Sequence, residues 1–213
     1  MATSPFLWNW LAKGYAKSPV ADEAAYQRKL EVTRSYFTPA SEVMEFACGT
    51  GTTAVSHAPF VRHIHAYDIS KNMLDIARGR AREAGVSNVT FELADIIDLD
   101  LPDARFDMVM GHSILHLLKP ETRKAVLTKV QRLLKPGGVF VSSTVCGDAI
   151  PAWGKALILV MRALPLMPPV QTLAREDLRR NITAAGLAIE HDWAPNPRSA
   201  LFLVARKPDL EAT

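Results

Sequence analysis

Seven short apolar runs punctuate the chain, at 41–46, 63–69, 89–93, 106–110, 139–143, 187–193 and 199–205. Their lengths suit strands, and most are separated by segments whose apolar residues recur at helical spacing. One such segment opens at Ser18-Pro19, has Asp22 and Glu23 in its first turn, and runs to about Phe37. Tyr26, Leu30, Thr33 and Phe37 share one of its faces and read as core. Another helix begins near Thr52. A third is capped at Ser70, reaches Ala84 and closes at Gly85. Two more are expected over 121–134, after Pro120, and over 172–185. Strands alternating with helices in this way predict an α/β domain on a largely parallel sheet.

The turn after the first strand carries the most specific pattern, Glu45-Phe46-Ala47-Cys48-Gly49-Thr50-Gly51. Gly49 and Gly51 tolerate φ > 0 and leave room where a ligand meets bare backbone. The helix that follows presents free N–H groups and its positive dipole end to the same spot. Asp68 closes the second strand about 19 residues after Gly49, where a carboxylate can accept the hydroxyls of a ribose. Taken alone, the loop also reads G-x-G-x-x-A through Ala54, a pattern that NAD(P)-linked oxidoreductases use.

Composition narrows the classes. The chain has 213 residues, enough for one domain with a sizeable core. A net charge of +3 with no dense Lys/Arg block gives no reason to expect nucleic acid. The most basic spot, Arg78-Gly79-Arg80-Ala81-Arg82, reads as the solvated face of a helix. Two cysteines, Cys48 and Cys146, make neither a disulfide framework nor a metal site, so thiols in a reducing cytoplasm are expected. No group of acids and histidines has metal-ligand spacing.

Further motifs join the loop: Ala94-Asp95 after the third strand, Phe106-Asp107 in the fourth, and Leu134-Lys135-Pro136-Gly137-Gly138 before the fifth. With the acidic glycine loop and Asp68 they form a constellation, over roughly residues 40–145, that resembles the class I S-adenosylmethionine-dependent methyltransferases. Ala47 stands where that family usually has its first glycine. The resemblance implies a single Rossmann-like three-layer α/β domain, whose seven-stranded, mostly parallel sheet has its last strand antiparallel between strands five and six. It implies S-adenosylmethionine as cofactor and S-adenosylhomocysteine as product. Carried over by position, the cofactor residues are Tyr15, Glu45, Ala47, Gly49, Gly51, Asp68, Ile69, Met73, Asp95, Ile96 and His112. In the family the acid matching Asp95 accepts from the adenine amine, and the next backbone N–H reaches a ring nitrogen.

The flanks are read in the same light. Residues 1–40 are expected to form an N-terminal helical lid over the cofactor, with Trp8, Trp10 and Tyr15 as lid aromatics, and residues 41–213 the methyltransferase domain. The apolar stretch at about 148–170 is too broken by Lys155, Arg162 and four prolines to span a membrane. It reads as an insertion capping the substrate pocket, with Trp153, Leu157 and Met161, beside Trp10, as substrate-binding residues. Packing on the N-terminal helix and shallow peripheral membrane contact are its other readings. His112 and His116 are four apart, so one helical face could carry both. Either is a candidate general base, His116 first, or they hold loop hydrogen bonds or cofactor edges.

A sulfonium methyl is already activated, so the enzyme would align an acceptor in line with it and exclude water. The expected acceptor is a small, largely apolar molecule, quinone-like, phenolic or lipid-related. A non-catalytic protein that binds the same cofactor has an identical cofactor signature.

Overall fold

The structure is a computed structural model and describes residues 4–18, 20, 22–147 and 173–209. Six helices are described: α1 (Pro5–Lys17), α2 (Glu23–Arg34), α3 (Thr52–His57), α4 (Lys71–Glu83), α5 (Pro120–Leu133) and α6 (Arg175–Ala184). The seven strands are β1 (Glu42–Phe46), β2 (His63–Asp68), β3 (Val89–Leu93), β4 (Phe106–His112), β5 (Leu134–Thr144), β6 (Ala188–Trp193) and β7 (Leu201–Arg206). They form one sheet in the order β3-β2-β1-β4-β5-β7-β6. All pairings are parallel except those of β7, which runs antiparallel between β5 and β6, as the family resemblance implied.

Strand alternation builds two cores from one sheet. Met44, Phe46, Val109, Phe140 and Leu203 point to the side covered by α5 and α6, where Leu127, Leu133 and Ile182 complete the packing. Val43, Met108, Met110, Val141 and Val204 point to the other, against α3 and α4 through Ala54, Leu74 and Ala77. Strands covered on both faces have no need of polar alternation, which is why they read as plain apolar runs.

Two boundaries differ from the sequence expectation. β5 begins at Leu134 rather than near Val139, because Leu134 already pairs with Phe106 before a register shift. The Lys135 ammonium there meets both oxygens of Asp107 at 2.8 Å, and Asp107 also accepts the Glu42 N–H at 2.8 Å. The Lys-Pro-Gly-Gly motif is thus part of the sheet's lower edge. β4 in turn runs on to His112, which pairs with Ser143. His112 and His116 therefore do not share a helical face. Ser113, at φ 54, turns the chain after β4, and His116 sits on a separate single turn at Leu115–Leu117.

Leading from β1 to both sides, the chain reverses its winding direction between β1 and β4. Such a switch point opens a crevice beyond the C-terminal ends of the strands. Its floor depends on one close approach, Gly111 of β4 over the ring of Phe46, where any Cβ would collide with the ring. Gly111→Ala should cost about 2 kcal/mol by overpacking. That corresponds to roughly 4–8 °C in Tm for a chain of this size. Calorimetry checks it, and Phe46→Leu in the same background should return part of the loss.

Candidate active site

A cavity of about 370 Å³ lies in that crevice. Its floor is the loop after β1, where alternate residues Ala47, Gly49 and Gly51 have φ of 52°, 53° and 72°. This alternation explains the small-residue spacing in the sequence, and Ala47 bears a left-handed backbone that costs about 1–2 kcal/mol. Ser113, also left-handed, lines the same cavity, a placement typical of strain kept at working sites. The two glycines serve different ends. A Cβ on Gly49 would meet nothing within 4 Å, so this residue keeps the floor open. A Cβ on Gly51 would stand 2.7 Å from that of Ala77, so Gly51 lets α4 pack behind the loop and does not line the cavity.

Asp68 ties the floor together. Its Oδ2 accepts the Gly49 N–H at 2.8 Å, and its Oδ1 accepts the Ser70 N–H at 2.8 Å. Burial pushes its pKa up, while the N–H groups of Ser70, Gly49 and Ile69 oppose the rise by favouring the carboxylate. Ser70 caps α4 and donates its hydroxyl to Asn9 Oδ1 of α1 at 2.7 Å. Asn9 Oδ1 also accepts the Asn72 N–H at 3.1 Å, and the Asn9 backbone carbonyl accepts from the Asn72 side-chain amide at 3.0 Å. At the other end of α1, the Arg80 guanidinium donates to Ala16 O at 2.9 Å and to Thr50 Oγ1 at 2.6 Å. Arg80 is thus a clamp between α1 and the glycine loop, and not a solvated helix residue as its sequence context implied. Asn9 and Arg80 carried no motif signal. Only their pairing in space reveals them.

Glu45 lies below the loop, 2% exposed, and does not line the cavity. One of its carboxyl oxygens has no hydrogen-bond partner among the described residues. Burial first, and the Asp68 charge second, raise its pKa to about 8, with the Ala54 N–H opposing. On the wall beside Asp68 stand Ile69 and Met73, and further along Asp95 and Ile96. Asp95 accepts the Ile97 N–H at 3.1 Å and fixes the turn that carries both. Tyr15 comes down from α1 at the same end. Enclosure raises its hydroxyl pKa, with Asp68 and Glu45 adding to the rise.

The opposite end is apolar, with Ile114, Leu117, Leu118 and Val126, and it holds both histidines. His112 Nε2 and His116 Nδ1 are buried and have no hydrogen-bond partner among the described residues. Burial lowers both pKa values to about 4, so both rings are neutral at pH 7. For His112 the Lys29 charge adds to the effect. Lys29 reaches from α2 to donate to Ser143 Oγ at 2.9 Å, beside the strand pairing of Ser143 with His112. Neither Lys29 nor Ser143 was legible as a site residue, since their separation along the chain is 114 residues.

The cavity brings together Tyr15, Ala47, Gly49, Asp68, Ile69, Met73, Asp95, Ile96, His112 and His116, and adds Trp8. Trp10 requires correction. It is 67% exposed and absent from the lining, because the helical phase that turns Trp8 and Tyr15 inward turns Trp10 out. Trp153, Leu157 and Met161 lie outside the described residues. Among the described residues no group of acids, histidines and cysteines could hold a metal ion, and neither cysteine is in a disulfide.

Two measurements probe this electrostatic picture. Glu45 keeps a proton in the native state up to about pH 8 that the unfolded chain loses near 4.5, so stability should fall as pH rises between them. Glu45→Gln should flatten that fall, and Tm compared at pH 5 and pH 8 shows whether it does. Lys29→Met removes a cation that opposes protonation of His112, so the His112 midpoint should move to higher pH in an NMR titration. An unchanged midpoint would separate the two groups.

Comparisons with known proteins agree with this geometry. A methyltransferase-domain family matches residues 43–138. A demethylmenaquinone methyltransferase of Clavibacter sepedonicus is 33% identical over 138 residues, 64% of this chain and 54% of that protein. A 2-heptyl-1-hydroxyquinolin-4(1H)-one methyltransferase of Mycobacteroides abscessus is 28% identical over 100 residues, 47% of this chain and 44% of that one. The chain thus spans about half the length of these curated relatives. Among solved structures, geranyl diphosphate C-methyltransferase from Streptomyces coelicolor, in complex with S-adenosyl-L-homocysteine, shares the fold. Its TM-score is 0.69 at 14% identity, covering 87% of this chain and 79% of that one. Residues 43–138 thus match a methyltransferase domain, and the chain as a whole resembles methyltransferases in its glycine loop and its fold.

Proposed function

We propose that the chain transfers the methyl group of S-adenosylmethionine to a small, largely apolar acceptor, quinone-like or phenolic, with lipid-related acceptors in the same class. The observation that carries this reading is the division of the cavity. One end gathers the Asp68 and Asp95 carboxylates around the open backbone at Gly49. The other is apolar and holds two neutral imidazoles, each with one buried nitrogen that has no partner among the described residues. The names of the two curated relatives, one a quinone methyltransferase and one a hydroxyquinolone methyltransferase, support the acceptor class.

The polar end fits an adenosyl ligand. Backbone N–H groups favour the Asp68 carboxylate against the effect of burial, and it retains lone pairs for ribose hydroxyls. Gly49 leaves open space where a side chain would intrude. Ile69, Met73 and Ile96 offer flat apolar surface on either side. The carboxyl oxygen of Glu45 without a partner among the described residues lies beneath the same loop, suited to a cationic group above it. Helix α1, with Trp8 and Tyr15, serves as the lid over this end.

Bound S-adenosylmethionine supplies an electrophilic sulfonium methyl. The chain's part is to align the acceptor, and alignment alone can lower a barrier by roughly 7–11 kcal/mol. Apolar walls at Ile114, Leu117 and Leu118 exclude water from the acceptor end. His116, through Nδ1, takes the proton of an acidic acceptor hydroxyl, and His112 stands second for that role. A ring with a pKa near 4 stays a free acceptor across the physiological range.

Thermal unfolding tests the cofactor half. Ligand at 100 times its Kd stabilises by about 2.7 kcal/mol. S-adenosylhomocysteine should therefore raise Tm by roughly 5–10 °C, NADPH should not, and Asp68→Ala should abolish the shift. A shift with NADPH alone would end this reading. For the acceptor half, a demethylated quinone and a hydroxyquinolone are incubated with the chain and cofactor, and one added methyl is sought by mass spectrometry. His116→Gln should lower kcat about 100-fold or more on an ionisable acceptor. With the histidine limb near pH 4, wild-type rates between pH 6 and 8 should follow only the acceptor's own ionisation. An activity that rises through a midpoint near 6.5 and belongs to His116 would contradict its low pKa, and a pH profile unchanged in His116→Gln with kcat intact would contradict its role as the base.

A further inference from the structure

The outer face of α1 is unlike the rest of the surface. Phe6, Trp10, Lys13 and Lys17 are all exposed, and at 3.6 residues per turn they fall within an arc of about 60°. Phe6 is 80% exposed and Trp10 67%. No acid occurs in α1. Helix α4, on which α1 packs, adds Lys71 and Arg78, which share Asp75, Arg82 with Glu83 next to it, and the charge of Arg80, held in its clamp on Ala16 and Thr50. Six cations against two acids leave the pair with more positive charge than the whole chain's net +3. Of the remaining exposed apolar side chains, Tyr15 and Val20 lie on or just after α1 and Phe60 lies at the far end of the sheet, ahead of β2, while three lie at the C-terminal ends of the strands. Leu93 ends β3, Ile97 follows the Asp95–Ile96 wall, and Val145 lines the cavity just past β5.

We propose that this face docks on an anionic lipid bilayer. The aromatic pair enters the interface, and Lys13 and Lys17 extend their stems along it to reach lipid phosphates. Mixing of lysines with aromatics on one narrow stripe is what favours lipid over a second protein, since lysines are depleted from the cores of protein interfaces. The inner face of the same helix carries Trp8 and Tyr15 into the cavity, so docking sets the lid of the cavity against the bilayer. An apolar acceptor dissolved there would be gathered beside the enzyme. That last step rests on the acceptor class argued above, whereas docking itself does not.

The test is co-sedimentation of the full chain with vesicles of phosphatidylcholine, and of phosphatidylcholine with phosphatidylglycerol, read without acceptor or turnover. Binding should require the anionic lipid, weaken with salt and shift the tryptophan emission to the blue. Lys13→Gln with Lys17→Gln should lower the partition coefficient about thirtyfold. Phe6→Ser with Trp10→Ser should abolish binding while leaving the S-adenosylhomocysteine thermal shift intact, since none of the four lines the cavity. No binding to anionic vesicles, equal binding to both vesicle types, or binding indifferent to both double variants would overturn the proposal. So would a change confined to the free chain's own sedimentation, which marks a self-association face. Docking with turnover only on polar, water-soluble acceptors would overturn the acceptor reading and leave the docking face standing.

Discussion

The Asp68 carboxylate is the interaction on which the site depends. Through its two oxygens it holds the loop after β1 and the first turn of α4. Through Ser70 and Asn9 the same network extends to α1. A buried acid is costly unless its lone pairs are filled, and here backbone N–H groups fill them. Because those donors belong to the cavity floor, the cost of burying Asp68 and the shape of the floor are one problem with one solution. Truncating the acid would leave the Gly49 and Ser70 N–H groups without their acceptor and loosen three segments together.

The electrostatic pattern around this anchor is uneven. Near Asp68 a second carboxyl, Glu45, is held so deep that its proton stays on up to about pH 8. Two ionised carboxylates this close in a shared low-dielectric pocket would repel each other, so the deeper one yields. The result is one negative charge beneath the loop at neutral pH with a second in reserve. A cationic ligand over the loop favours release of that reserve proton, since a positive charge lowers a neighbouring acid's pKa. At the other end burial works in the opposite sense and empties His112 and His116 of charge. Charge is confined to one end of the cavity.

How much of this was legible in the sequence follows from the reach of each signal. The doubly covered strands were visible as apolar runs, and the left-handed loop as spaced small residues, because both constraints act within a few neighbouring positions. Asp68, Asp95 and Ile96 were legible for a related reason: each lies at the end of a strand whose pattern announces it. The beginning of β5 was missed because Lys135 is held by Asp107, 28 residues away, and Gly138 has no room for a Cβ beside the Asp107 carbonyl. The helical pairing of His112 with His116 failed for lack of any local mark that β4 runs on, since that extension is secured by its partner Ser143. Asn9, Lys29 and Arg80 act across larger separations still, and a single sequence holds no record of them.

The misplacement of Trp10 bears on function. Aromatics in the first 15 residues are indistinguishable by composition, and only helical phase separates them. At 100° per residue Trp8 and Trp10 stand about 200° apart, so a helix that delivers one to the cavity must withdraw the other. Burial would have been the favourable fate of both. The exposure of Trp10 beside Phe6 is therefore a cost, one that a soluble surface gives no reason to keep. A helix pinned by Asn9 at one turn and by Arg80 at its last leaves its phase no freedom to hide them. The bonds that hold Trp8 and Tyr15 over the cavity thus also hold Phe6 and Trp10 outward, and what meets the outer face acts on the inner one through a single rigid element.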